Sequence, residues 1–159
     1  MDLYFETLHT FQNNNCTHDI SIYKNKSDLK YKHNTISFCN SDKYENFNIE
    51  ETNEFLNLYI FDNKNKIEDL WMVFIFYENT IISLNIYETL NEAKQAFDEI
   101  LKESYYEPSN DEISVLEKDK ENNQIYTLYN KDNGKYILPD KAQRIVLHKF
   151  NIYDESINL

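Results

Sequence analysis

Hydrophobic and polar positions alternate with a period of two along most of this chain and switch to a helical period once. Leu3 to Phe11 is the first strand candidate. "HDISIY" and "NTISFC" alternate on either side of the polar loop "KNKSD", which predicts a hairpin turning near Lys26. In "FLNLYIFD", Leu56, Leu58 and Ile60 fall on one face, and Phe55, Tyr59 and Phe61 on the other. "LWMVFIFY", Leu70 to Tyr77, is apolar at every position, the mark of a strand buried on both faces inside its sheet. "ENT" then makes a tight connection to "IISLNIY", whose Ile82, Leu84 and Ile86 are expected on the dry face. Farther on, "ISVLEK", "QIYTLYN", "KYILP" and "RIVLHKFNIY" read as strands. The second and third are joined across Asn133-Gly134, a dipeptide that tolerates positive φ and so favours a hairpin.

The helical period occupies residues 90 to about 105. Thr89 with Glu92 three residues later forms a capping box. Leu90, Ala93, Phe97, Ile100 and Leu101 then recur at helical spacing as one apolar stripe, with Glu92, Glu99 and Glu103 on the opposite side. Pro108 bounds any extension. One helix among many strands predicts an α+β fold, a mostly antiparallel β-sheet with the amphipathic helix packed on a face. At 159 residues, with no internal repeat and no Pro/Ser linker, a single domain over 1–159 is expected.

Composition adds a folded core. Aromatic residues make up 15% of the chain, 13 Tyr, 10 Phe and one Trp, which a disordered sequence would lack. No apolar run reaches the length of a membrane span, and the N-terminus lacks the basic-then-apolar pattern of a secretory signal. Two cysteines, Cys16 and Cys39, fit free thiols in the cytoplasm, and spacing leaves a disulfide between them open.

Charge changes the picture more. The net of −12 divides as −1 over residues 1–49, −11 over residues 50–112 (fifteen acids, four lysines) and 0 over residues 113–159. That middle segment is unsuited to a nucleic-acid backbone, whose phosphates need Lys and Arg. Its natural complement is a basic protein, because opposite potentials steer encounter. Glu88, Glu92, Glu99, Glu103, Glu107, Asp111 and Glu112, with Tyr105 and Tyr106, form the candidate partner-binding residues: charge for steering, and phenol rings that offer flat apolar area with a hydrogen-bonding tip. The competing reading is that acidity only keeps the chain in solution.

Candidate chemistry is thin. Gly134 is the single glycine, which excludes a P-loop, a Rossmann fingerprint and a nucleophile elbow in their usual forms. Cys16, His18, His33 and Cys39 are the residue types of a zinc site. Their spacing is not, with one residue inside the first pair and five inside the second, and no metal is expected. The same residues as a Cys–His nucleophile pair would need an orienting group, and Asp19 points away from His18. His9 and His148 suggest a two-histidine phosphoesterase, but Phe11 and Phe150 stand where such enzymes need hydroxyls. Glu68-Asp69 and Asp111-Glu112 read as solvated loops.

These observations lead to the expectation of a non-enzymatic acidic binding protein without a cofactor, acting on a basic nucleic-acid-handling partner. In size and charge the chain resembles phage-encoded inhibitors of bacterial defence nucleases, and equally toxin-neutralising immunity proteins. That resemblance covers no motif and transfers no residues. A small metal-dependent hydrolase using the Cys/His group, or an accessory subunit with incidental acidity, are the alternatives.

Overall fold

The computed structural model describes residues 1–12, 15–47, 54–77, 80–132, 135–136 and 143–157. The fold is α+β, with two antiparallel-rich sheets and one main helix. Contacts group the chain into two compact units, Met1–Asp69 with Phe150–Leu159, and Leu70–Lys149.

The first unit carries a sheet of six strands: β1 (Asp2–Gln12), β2 (Asn15–Tyr23), β3 (Thr35–Phe38), β4 (Tyr44–Asn46), β5 (Glu54–Asp62) and β12 (Ser156–Ile157), ordered β12-β2-β1-β5-β3-β4. Both faces of β1 are buried: Leu3, Phe5 and Thr7 on one side, Tyr4 and Glu6 on the other. Cross-strand partners share a face, so Phe5 meets Ile22 and Tyr59, and Thr7 meets Ile20 and Asn57. Phe150 adds an edge-to-face contact with Phe5 at 5.5 Å.

The hairpin expected near Lys26 is not formed. Residues Lys26–Asp28 make a short 3₁₀ turn, β2 pairs back onto β1, and β3 pairs with β5, in parallel, and with β4. Period-two alternation marks strands but carries no information on which strands pair. A polar loop of suitable length therefore mimicked a hairpin turn. The Asn133-Gly134 turn, the Glu78-Asn79 step and the side chains of Cys16 and His18 lie outside the described residues.

The second unit carries β6 (Asp69–Tyr77), β7 (Thr80–Tyr87), β8 (Glu112–Lys118), β9 (Gln124–Asp132), β10 (Lys135–Tyr136) and β11 (Gln143–Asn151), ordered β10-β9-β11-β6-β7, with β8 also on β9. β6 is buried from Leu70 to Phe74 and again at Phe76, as its unbroken apolar run requires. The ladder between β6 and β7 slips at Ile75/Phe76, where Ile75 faces Ser83 and Phe76 faces Ile81. This bulge leaves Ile82 as the extra residue, and it is exposed, whereas Ile81 is buried. Ile82 was expected on the dry face; an inserted residue reverses the alternation locally, and no periodic pattern registers it.

Helix α1 (Leu90–Leu101) packs on the β6 face formed by Trp71 and Val73. Ala93 and Phe97 are fully buried there with Ile145 and Leu147 from β11, while Leu90, Ile100 and Leu101 flank the cluster. Thr89 Oγ1 accepts from the Glu92 amide at 3.2 Å, and the Glu92 carboxylate accepts from the Thr89 hydroxyl at 3.2 Å. The helix is shorter than the 90–105 expected. Lys102 and Glu103 close the last turn by donating to Glu99 and Ile100 carbonyls, and Glu103 is extended. A 3₁₀ turn, Ser104–Tyr106, follows, and Glu107 is extended before Pro108, as a pre-proline residue prefers.

With one glycine in the chain, turns rest on asparagine and aspartate. Asn63, fully buried, donates to the Ile67 carbonyl at 3.0 Å and accepts from the Ile67 amide at 3.1 Å. Asp119 accepts from the amides of Glu121 and Asn123, and Asn122 takes a φ of 68°. The Asn123 side chain, foremost, and these amides hold the Asp119 carboxyl below the usual carboxylate range.

Phe97→Ala is expected to cost about 3–5 kcal/mol in denaturant titration, the range for deleting a fully buried aromatic ring. Asn63→Ala is expected to cost about 1–3 kcal/mol, since it strands the buried groups it bonds. A loss below about 1 kcal/mol at Phe97 would show that the helix does not anchor this core.

Candidate functional site

The acidic stretch from Glu88 to Glu112 runs through α1, the following 3₁₀ turn and the start of β8, so the second unit alone positions it. Because Ala93 and Phe97 must face the sheet, the opposite face of α1 is turned outward. Glu92 and Glu99 are exposed on the helix, and Glu103, Glu107 and Asp111 are exposed beyond its end; Glu88 and Glu112 are half-buried. Glu112 is tied locally, its carboxylate accepting from the Ser109 amide at 3.1 Å.

The outward face of α1 is not uniformly acidic. A shallow depression along it is lined by Asn91, Lys94, Gln95, Asp98, Glu99 and Lys102, two lysines against two carboxylates. Gln95 donates to Glu99 at 3.3 Å across one turn. The acids without lysines beside them in sequence fall mainly beyond the helix end, at Glu107, Asp111 and Glu112. Glu99 in the last turn of α1 and Glu103 just past it oppose the macrodipole, whose influence fades beyond that turn.

The two tyrosines of the site part company. Tyr105 is 56% exposed, whereas Tyr106 is 6% exposed and belongs to the core cluster with Trp71 and Phe97. The Tyr106 carbonyl accepts from the Tyr126 hydroxyl at 2.5 Å. Burial, then Glu103 and Tyr105, raise the Tyr106 phenol above its ordinary value. Tyr105 stacks edge-to-face on Tyr106 at 5.2 Å and leans on Tyr77 at 6.3 Å. It is therefore an exposed ring held in place by buried ones, while Tyr106 itself offers a partner no surface. Adjacent tyrosines with the same composition signal have opposite fates because a 3₁₀ turn separates their directions by about 120°.

Among the described residues no group of three or more His, Cys, Asp and Glu side chains converges to hold a metal ion. His33 and Cys39 have separate surroundings: His33 Nε2 lies 2.8 Å from Glu6 Oε2, both residues buried, and the Cys39 amide donates to the Ile60 carbonyl. Burial pushes the Cys39 thiol from its ordinary 9.0 up to about 12, so it is protonated at neutral pH and is not an activated nucleophile. Tyr59 is likewise pushed up to about 12, by burial first and by Cys39 second.

The Glu6–His33 pair is the buried polar feature that residue-type reasoning missed. Its trace in the sequence is one acid inside the otherwise apolar and neutral "LYFETL" of β1; its partner lies 27 positions away. No protein-family model matches this chain, and comparison with curated proteins and with solved structures returned no match. No helix among the described residues is long and apolar enough to cross a membrane.

Tyr106→Ala is expected to cost about 3–5 kcal/mol and Tyr105→Ala less than about 1 kcal/mol, measured by chemical unfolding. Equal losses would contradict the division between a core ring and a displayed one.

The raised Cys39 value also has a sign. A thiol whose folded value lies above its unfolded one contributes stability that is fully present below about 9 and is lost as pH rises toward about 12. A Cys39→Ser comparison of unfolding midpoints from neutral to strongly alkaline pH should show a shallower alkaline loss in the variant. At pH 8, peptide-resolved alkylation should label Cys39 slowly in the folded protein and rapidly in guanidinium.

Proposed function

We propose that this chain is a non-enzymatic acidic binding protein that docks on a basic macromolecular partner, a nucleic-acid-handling protein, and holds it inactive. The observation that carries the reading is the acidic stretch from Glu88 to Glu112, eight acids against two lysines, in which Glu99, Glu103, Glu107 and Asp111 are exposed and lie near the displayed Tyr105 in sequence. A ring braced by Tyr77 and Tyr106 loses little rotamer freedom on binding, and the exposed carboxylates of the same stretch supply steering. In this reading the carboxylates occupy a surface that the partner builds for phosphates. Immunity-type neutralisation of a basic toxin is the same physical act on a different partner.

The test uses association kinetics against a partner captured from the native host. Glu99, Glu103 and Glu107 reversed together to lysine should weaken association by at least about tenfold, and Tyr105→Ala should speed dissociation by a similar factor. Glu92 is left intact because it caps α1. The wild-type on-rate should fall steeply with salt, since exposed charges are screened beyond about 10 Å at 0.1 M ionic strength. A folded triple variant that binds unchanged, with a flat salt profile, would remove this face from the interface.

A further inference from the structure

A second feature lies in the first unit and does not depend on the acidic stretch. Directly opposed positions on neighbouring strands place Leu58, Glu6, Ser21 and Ser156 in one row across β5, β1, β2 and β12, on a single face of the sheet. The segment after β2 returns over this face, and its His33 reaches Glu6. Between them is an open cavity of about 700 Å³. Glu6 lines it, with Ser21 and Tyr23 from β2, Asp28 and Tyr31 from the returning segment, and Glu155 before β12.

Glu6 makes this more than a dent. It is 8% exposed, on a strand where every neighbour from Leu3 to Thr7 is buried. A buried carboxylate is costly unless its oxygens are bonded. His33 engages Oε2, and no described residue bonds the other oxygen. An ionised carboxylate only accepts, so the occupant that suits it is a donor. The rest of the lining specifies the donor's charge. Glu6, Asp28 and Glu155 oppose Lys30 alone, a formal lining charge of −2. Tyr23 and Tyr31 add ring faces of the kind that attract cations. In the same unit the chain already makes such a contact, with Lys24 Nζ 3.8 Å from the centre of the Tyr153 ring. The carboxylates do not converge as metal ligands would. A charge carried on an apolar stem fits the mixed lining better, and the volume lies within the roughly 300–1,000 Å³ common for small-ligand sites.

We propose that this cavity is a binding site for a primary alkylammonium group, which donates to Glu6 and lies against the Tyr23 and Tyr31 rings. The same chemistry is presented by a lysine side chain of a protein and by a free polyamine. Backbone amide shifts of Ser21, Tyr23 and Tyr31 are followed by nuclear magnetic resonance in the full chain. The probes are Nα-acetyl-lysine methylamide, spermidine, and the uncharged Nα-acetyl-norleucine methylamide. Saturable shifts with an amine, and none with the norleucine probe, are expected. Tighter binding of the lysine amide assigns a protein source, and tighter spermidine binding a free polyamine. Glu6→Gln should weaken binding by at least about tenfold, as loss of a charge-assisted hydrogen bond does. Asp28→Asn, at an exposed position outside the strands, should weaken it without touching the core. Equal shifts with the norleucine probe, or unchanged binding in folded Asp28→Asn protein, would overturn the assignment.

Discussion

The burial of Ala93 and Phe97 against Trp71, Val73, Ile145 and Leu147 sets what the second unit can display. A helix has one rotational freedom once its axis lies on a sheet, and two fully buried side chains four residues apart remove it. Asn91, Lys94, Gln95 and Asp98 are exposed as a consequence. The cap made by Thr89 and Glu92 fixes where the helix begins; the extended Glu103 fixes where it ends. Had α1 continued to residue 105, Tyr106 would not have been carried into the same cluster by a 3₁₀ turn. The display of Tyr105 therefore follows from the burial of its neighbour.

The parts of the fold that were legible share one property: their cause is local. Thr89, the stripe from Leu90 to Leu101 and the apolar run Leu70 to Tyr77 each declare themselves within about a dozen residues. What was not legible depends on distant chain. The pairing of β2 with β1, the parallel pairing of β3 with β5 and the two-residue β12 all leave the alternation of each strand unchanged. The bulge at Ile82 is also set by the partner strand. Of the candidate site, the exposure of Glu92 and Glu99 was readable, because an acid opposite an apolar helical stripe has nowhere else to go. The fate of Tyr105 and Tyr106 was not, because a backbone turn, and not residue type, separates them.

Acidity in this chain is of two physical kinds. On α1 it is diluted by Lys94 and Lys102, and the face resembles that of many solvated helices. Beyond α1 come Glu103, Glu107 and Asp111, all exposed, with no lysine between residues 103 and 112. Solubility does not require charge in that place; any exposed position would serve as well. Four carboxylates over residues 103–112 with no lysine among them are the reason to weigh this end of the helix above its N-terminal end as a contact surface.

Glu6 offers the contrast. It is an acid placed at a cost, on a buried strand where no solubility argument applies. Its neighbours Leu3, Tyr4, Phe5 and Thr7 would pack as well around an apolar residue, and replacing a buried charge with an apolar side chain of similar volume is often neutral or stabilising. Packing alone therefore does not account for a carboxylate at this position. His33 satisfies one oxygen and tethers the segment that borders the cavity, which gives the pair a structural role. The same side chain thus holds that segment and adds a carboxylate to the lining of the open cavity beside it. Two acidic surfaces in separate units, one on the stretch that carries Tyr105 and one in the open cavity that Glu6 lines, thus arise from different folding constraints and need not share a ligand.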